Sequence, residues 1–273
     1  MKQNESNLPI GIFDSGIGGL TVVQSVRKLL PNESILYVGD TARVPYGIKS
    51  KESIIQYSTE IVNFLLERRV KMILIACNSV SAVALDAVKE AAKGVPVLNV
   101  ITAGRDAAIS TGTRRIGVIG TLATIGSGAY ERELSANRQF ISIKSKACPL
   151  LVPLAEEGWT DNDISNRTLK LYLDDFLTNG VESLILGCTH YPLFKSAIES
   201  VFIQSNRTVK IIDSGEAIAK MALKNLAKMD FLGKGKKGNL HCCITDRPQR
   251  FGELAERFLG EPVDDIEFIQ LSS

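Results

Sequence analysis

Short apolar runs rich in β-branched residues alternate with helix-period segments along most of the chain, and this alternation restricts the fold more than any other feature. Candidate strands fall at 10–13, 35–38, 72–76, 95–100, 116–119, 183–186, 209–212 and 240–245. Amphipathic stretches at 51–68, 82–92, 166–177 and 216–228 lie between them. Apolar strands separated by helices predict mainly parallel sheets flanked by helices on both faces, an α/β fold. Such folds bind ligands beyond the carboxyl ends of their strands, so functional residues are expected just after strands.

The chain also carries an internal echo. Segment 70–79, ending Ala76-Cys77-Asn78-Ser79, resembles segment 181–190, ending Gly187-Cys188-Thr189-His190. Upstream, Ile10-Gly11-Ile12-Phe13-Asp14 pairs with Ile116-Gly117-Val118-Ile119-Gly120. Nearly equal offsets predict two similar α/β halves, each ending a central strand in a cysteine; chance likeness among apolar strands is the competing reading. The expected division is 1–99 plus 209–273 for the half with Cys77, and 100–208 for the half with Cys188. The strand-like segments 209–212 and 240–245 have no obvious place in the second half, so both are expected to rejoin the first.

A length of 273 residues suits two domains, and 45% hydrophobic residues suits a real core. The 32 basic and 30 acidic residues nearly cancel, which excludes the basic footprint of a dedicated nucleic-acid binder. Lys234, Lys236 and Lys237 alternate with glycines and read as a solvated loop. No apolar run approaches the roughly 20 residues of a membrane span, and residues 1–7 are too polar for a signal peptide. A cytoplasmic protein without membrane contact is expected. Five cysteines cannot all pair, and the cytosol keeps thiols reduced, so each is core filler or chemistry.

Four places offer that chemistry. The glycine-rich turn after the first strand, Asp14-Ser15-Gly16-Ile17-Gly18-Gly19, fits an anion-binding helix start or a tight turn capped by Asp14 or Ser15. Its spacing is not that of a dinucleotide fingerprint. Asp40-Thr41-Ala42-Arg43-Val44-Pro45-Tyr46-Gly47 follows the second strand and reads equally well as a surface turn. Cys77 and Cys188 each end a strand before a helix start, where a positive field should lower the thiol pKa. Asn78 and Ser79 beside one, and Thr189 and His190 beside the other, suit a carboxylate ligand. His190 reads either as a helix cap or as a group that tunes Cys188, and Glu156 and Glu157 read as helix-surface charges of which one could face the site. Cys148, Cys242 and Cys243 read as core.

Together these segments resemble the cofactor-independent aspartate/glutamate racemase family, and glutamate racemase within it. The matching stretches are Gly11 to Gly19, Asp40 to Gly47, Ala76-Cys77-Asn78, Pro153 to Gly158, and Gly187-Cys188-Thr189-His190-Tyr191-Pro192. Thr245-Asp246-Arg247-Pro248 and a closing helix over 251–260 complete the set. Ser79 and Val80 stand where the family usually has Thr and Ala, and residues 100–103 lack its usual Glu-Pro. The resemblance implies two pseudo-symmetric α/β domains with glutamate in the cleft between them, and a homodimer making D-glutamate for peptidoglycan. It implies Cys77 and Cys188 as the acid/base pair, Cys77 acting on the D form and Cys188 on the L form. Asp14, Glu156 and His190 would assist them, and Asp14, Ser15, Tyr46, Gly47, Asn78, Ser79, Thr121, Thr189 and His190 would bind substrate.

Two thiols suit an inversion, because a single base tends to return the proton to the face it came from. No lysine sits in a recognisable pyridoxal context and no metal motif appears, so chemistry without a cofactor is the economical reading. Three alternatives stand beside it. A sister specificity would take aspartate or a hydantoin; a thiol redox or metal site would use Cys77, Cys188 and His190; a catalytically silent binding protein would keep only the fold.

Overall fold

In a computed structural model that describes residues 6–246 and 249–271, the β-branched runs form ten strands in two sheets. The first half begins with β1 (Ile10–Asp14), α1 (Leu20–Leu29), β2 (Ile35–Gly39), α2 (Lys51–Glu67) and β3 (Met72–Ile75). It continues with α3 (Asn78–Val83), α4 (Leu85–Ala91) and β4 (Val97–Asn99). The second half comprises α5 (Val100–Ser110), β5 (Arg115–Gly120), α6 (Leu122–Gly126), α7 (Ala129–Ser135), β6 (Ser142–Ala147) and α8 (Leu151–Glu156). After these come α9 (Asp163–Thr178), β7 (Ser183–Gly187), α10 (Lys195–Gln204), β8 (Lys210–Asp213) and α11 (Ser214–Met229). The chain then closes with β9 (Leu240–Ile244), α12 (Phe251–Leu259) and β10 (Ile266–Phe268).

The strand orders are β10-β9-β2-β1-β3-β4 and β6-β5-β7-β8, with every pairing parallel. The run β2-β1-β3-β4 has the same order as β6-β5-β7-β8 when strands are matched in sequence. β1 therefore corresponds to β5, and β3, which leads into Cys77, corresponds to β7, which leads into Cys188. The repeated sequence signal thus reflects a repeated topology. Central strands are buried end to end, β1 and β3 completely, and this explains their unbroken apolar character.

One expected placement is corrected. Segment 209–212 was expected to rejoin the first half, but β8 pairs with β7 in the second sheet, Ser183 opposite Lys210. It occupies the place that β4 holds beside β3, so the boundary expected at 209 cuts through a sheet. α11 follows and packs on both α1 and α5, which carries the chain back across. Segment 240–244 pairs with β2 and extends the first sheet.

Other differences have local causes. The helix expected over 82–92 is two helices, because Ala84 leaves helical geometry at φ −119. β4 stops at Asn99, whose side chain accepts from the N–H groups of Ile101 and Thr102 and starts α5 there. β6 and β10 are half-buried edge strands of mixed polarity and lack the apolar signature of the centre. Arg247 and Pro248, part of one motif, lie outside the described residues.

Candidate active site

The carboxyl ends of β1, β3, β5 and β7 converge on a cavity of about 500 Å³ lined by both halves. From the first half come Ser15, Tyr46, Gly47, Cys77, Asn78 and Ser79. From the second come Thr121, Glu156, Cys188, Thr189 and His190. Val44, Ile48, Leu122, Val152 and Leu254 add apolar wall. Asp14, expected to contact substrate, does not line the cavity and lies 1% exposed behind it.

The loop after β1 is shaped to touch the other half. A Cβ on Gly18 would stand 2.4 Å from Thr189 Oγ1 and from His190 Nδ1, so only glycine permits this approach. Beside it the Thr21 hydroxyl donates to the Thr189 carbonyl at 3.0 Å. Asp14 Oδ2 accepts from the Gly16 N–H at 3.1 Å, while Asp14 Oδ1 is buried and has no protein partner. Burial raises the Asp14 pKa against the opposing pull of His190 and the N–H groups of Gly19, Gly16 and Ser15.

Cys77 is 5% exposed, and its thiol lies 3.5 Å from Ser15 Oγ. Burial, aided by the charge of Asp14, pushes this thiol up to about 12. This reverses the expected lowering. The Val80 N–H and Ser15 do favour the thiolate, but α3 is a single short helix and desolvation outweighs it. Next to Cys77, the Asn78 carboxamide accepts at Oδ1 from the Tyr130 hydroxyl at 2.8 Å. Its Nδ2 is buried without a protein partner. Ser79 shares a 3.0 Å hydrogen bond with Thr121, and Thr121 donates to the fully buried Thr124 at 3.0 Å.

Across the cavity Cys188 is 6% exposed, and His190 Nδ1 lies 3.9 Å from its sulfur. His190 Nε2 lies 3.1 Å from Glu156 Oε1, and Phe258 packs against the ring edge-to-face. Burial alone would lower the imidazole pKa; hydrogen bonds to Cys188 and Glu156, with their negative charge, overcome it and raise the group to about 10. Of the two candidate glutamates it is therefore Glu156 that meets the site, while Glu157 pairs with Arg250 at 3.0 Å. Tyr191 donates to the carbonyls of Gly120 and Cys148 and ties the Cys188 turn to β5.

Sequence reading passed over three supporting residues. Asp40, in the segment that reads equally well as a surface turn, is fully buried and accepts from Arg43, from the Tyr46 hydroxyl and from Thr245. Thr124 and Tyr130 sit in unremarkable helical segments, and their contacts with Ser79 and Asn78 span more than forty residues. Among the described residues, the cluster with metal-ligand geometry is His241, Cys243 and Glu267 on β9 and β10, not the cavity residues. Arg68 and Asp265 already balance its charges.

A family model described as Asp/Glu/Hydantoin racemase matches residues 19–222. The glutamate racemase of Chlorobaculum tepidum is 46% identical over 266 residues, covering 97% of this chain and 97% of that one. The crystal structure of glutamate racemase from Francisella tularensis subsp. tularensis SCHU S4, in complex with D-glutamate, superposes at a TM-score of 0.91. It is 40% identical and covers 97% of this chain and 98% of that chain. The Thermus thermophilus enzyme, solved with beta-chloro-D-alanine, gives 0.88 at 42% identity, with 98% of each chain covered. Two parallel α/β sheets meeting at this cavity therefore belong to an isomerase of the amino-acid racemase class. The chain is a member of the Asp/Glu/hydantoin racemase family, within its glutamate racemases.

Proposed function

We propose that the chain interconverts L- and D-glutamate by two-base proton transfer between Cys77 and Cys188. The observation that carries this reading is the cavity itself: topologically equivalent strands of the two halves each deliver a buried cysteine to its wall. One thiolate takes the α-proton while the facing thiol returns a proton to the opposite face, and each thiol leaves in the state the reverse reaction needs. Cys188 acts on the L form and Cys77 on the D form. His190, held cationic between Cys188 and Glu156, stabilises the Cys188 thiolate and can return its proton. Asp14 stands behind Cys77 in the corresponding assisting place.

The α-proton of an amino acid is very weakly acidic, so charge developing towards the carboxylate needs donors in a water-poor site. Ser15, Asn78, Ser79, Thr121 and Thr189 supply hydroxyl and amide groups there, and the unpartnered Asn78 Nδ2 fits one carboxylate oxygen. The Tyr46 hydroxyl is committed to Asp40, so Tyr46 and Gly47 shape the site through the main chain. The D-glutamate bound by the Francisella relative supports glutamate as substrate. No cofactor is required, since two thiols account for both proton transfers. On the same family grounds the enzyme acts in the cytoplasm as a homodimer and supplies D-glutamate to peptidoglycan; no helix among the described residues is long and apolar enough to cross a membrane.

Circular dichroism of each glutamate enantiomer in deuterated water, with Cys77→Ser and Cys188→Ser, tests the reading. Each variant should lose net racemisation by roughly 10²- to 10⁴-fold, the worth of a positioned acid or base. Near-normal racemisation in either variant would end the two-base assignment. Faster turnover of aspartate than of glutamate would end the substrate assignment.

A further inference from the structure

Tyr130 is a fully buried side chain on α7 of the second half, yet its hydroxyl donates 2.8 Å across to Asn78 of the first. Its ring fills space that two glycines leave open. A Cβ on Gly187, directly before Cys188, would come 3.1 Å from the ring, and one on Gly104 would come 3.5 Å from its edge and hydroxyl. The same side chain thus packs against the strand end that holds Cys188 and hydrogen-bonds the residue that follows Cys77.

This bond decides which way the Asn78 amide faces. A carboxamide has one oxygen that accepts and one nitrogen that donates. With Oδ1 held by the phenol, Nδ2 is turned away from Tyr130, buried and without a protein partner in a residue that lines the cavity. A buried donor left unpaired is costly and needs an acceptor. The substrate carboxylate provides one.

We propose that Tyr130 is a positioning residue for the racemase reaction, holding the Asn78 carboxamide with its N–H groups towards the substrate carboxylate and bracing the two cysteine-bearing loops against each other. The proposal rests on the reading of Asn78 as a substrate contact. The phenol touches neither substrate nor the reacting proton; it acts through Asn78, by keeping the donor oriented before substrate arrives.

Tyr130→Phe keeps the ring against Gly104 and Gly187 and removes only the hydroxyl. KM for both glutamate enantiomers should rise roughly 10- to 100-fold, as expected for loss of an oriented hydrogen bond to a charged group, with a much smaller change in kcat. In an Asn78→Ala background, which itself raises KM, Tyr130→Phe should add nothing further. Should Tyr130→Phe fail to fold, Asn78→Asp serves instead: its carboxylate accepts from Tyr130 but offers the substrate no donor and repels the substrate carboxylate, so a rise in KM at least as large is expected. Wild-type KM in Tyr130→Phe together with a raised KM in Asn78→Ala would overturn the role of Tyr130 and leave Asn78 standing. Equal increments in both backgrounds would also overturn it, because a general structural effect is indifferent to Asn78. Unchanged KM in Asn78→Ala would defeat the substrate reading beneath it, and wild-type KM in Asn78→Asp would defeat the need for a donor.

Discussion

At the scale of single residues, His190 shows how far a neighbour can override burial. An imidazole 8% exposed would ordinarily be neutral, but Cys188 and Glu156 lift it to about 10. A histidine raised above its unfolded value stabilises the fold fully below about pH 6.5 and loses that contribution as pH rises through about 10. Glu156→Gln removes the carboxylate while keeping the shape, so the His190 pKa should fall by about one to two units. Nitrogen NMR of the imidazole would read the titration directly, and an unchanged midpoint would show that Glu156 does not hold the proton. Turnover of L-glutamate should weaken at high pH in the same variant, since cationic His190 faces Cys188. Both cysteines were legible in the sequence because each ends a strand with polar residues beyond it. The direction of the Cys77 pKa was not, because a helix start is visible in sequence whereas depth of burial is a property of the assembled halves. Tyr130 and the distant contacts of Thr124 with Ser79 and of Asp40 with Thr245 stayed hidden for the same reason: those partners are set by the fold, not by neighbours in the chain.

At the scale of elements, the central strands were readable because burial on both faces demands unbroken apolar runs. Edge strands escape that demand. β6, Ser-Ile-Lys-Ser-Lys-Ala, exposes part of every residue, and β10 is three residues long. β8 was visible as a strand but not as a partner of β7, since parallel pairing leaves no turn to announce it. The glycine turn after β1 is the element where sequence and site meet most directly. Gly18 has no need of unusual backbone angles; its requirement is the space taken by Thr189 and His190. Gly18→Ala should therefore leave the fold intact and push those two side chains away from the cavity. We expect kcat/KM to fall at least about 100-fold, the scale of loss from a shift of about 1 Å in a reacting group, with the thermal midpoint changed by only a few degrees. Full activity in Gly18→Ala would mean that the contact between the loops is not needed.

At the scale of the whole molecule, the matched topologies place one cysteine of each half in the shared cavity and leave three others in the cores. Cys77, Cys148, Cys242 and Cys243 are all nearly or fully buried, and burial pushes each above the ordinary thiol range, up to about 12. In the unfolded chain these thiols ionise near ~8.5. Above that pH the unfolded state holds fewer protons than the folded state, so stability must fall with rising pH. Below it both states are protonated and the contribution is fully present. Each thiol removes at most about 1.4 kcal/mol per pH unit between the two values. Four together remove up to about 5.5 kcal/mol per unit, against a total stability of about 5–15 kcal/mol for a folded protein. The urea midpoint should fall gently from pH 7 to about pH 8.5, where only the His190 contribution is being lost, and then drop steeply as the thiols add to it. Replacing the non-cavity thiols by Cys148→Ala, Cys242→Ala and Cys243→Ala should lower the midpoint at pH 7 through lost packing, yet flatten the alkaline slope. An equally steep slope in the triple variant would assign the alkaline loss to groups other than these thiols.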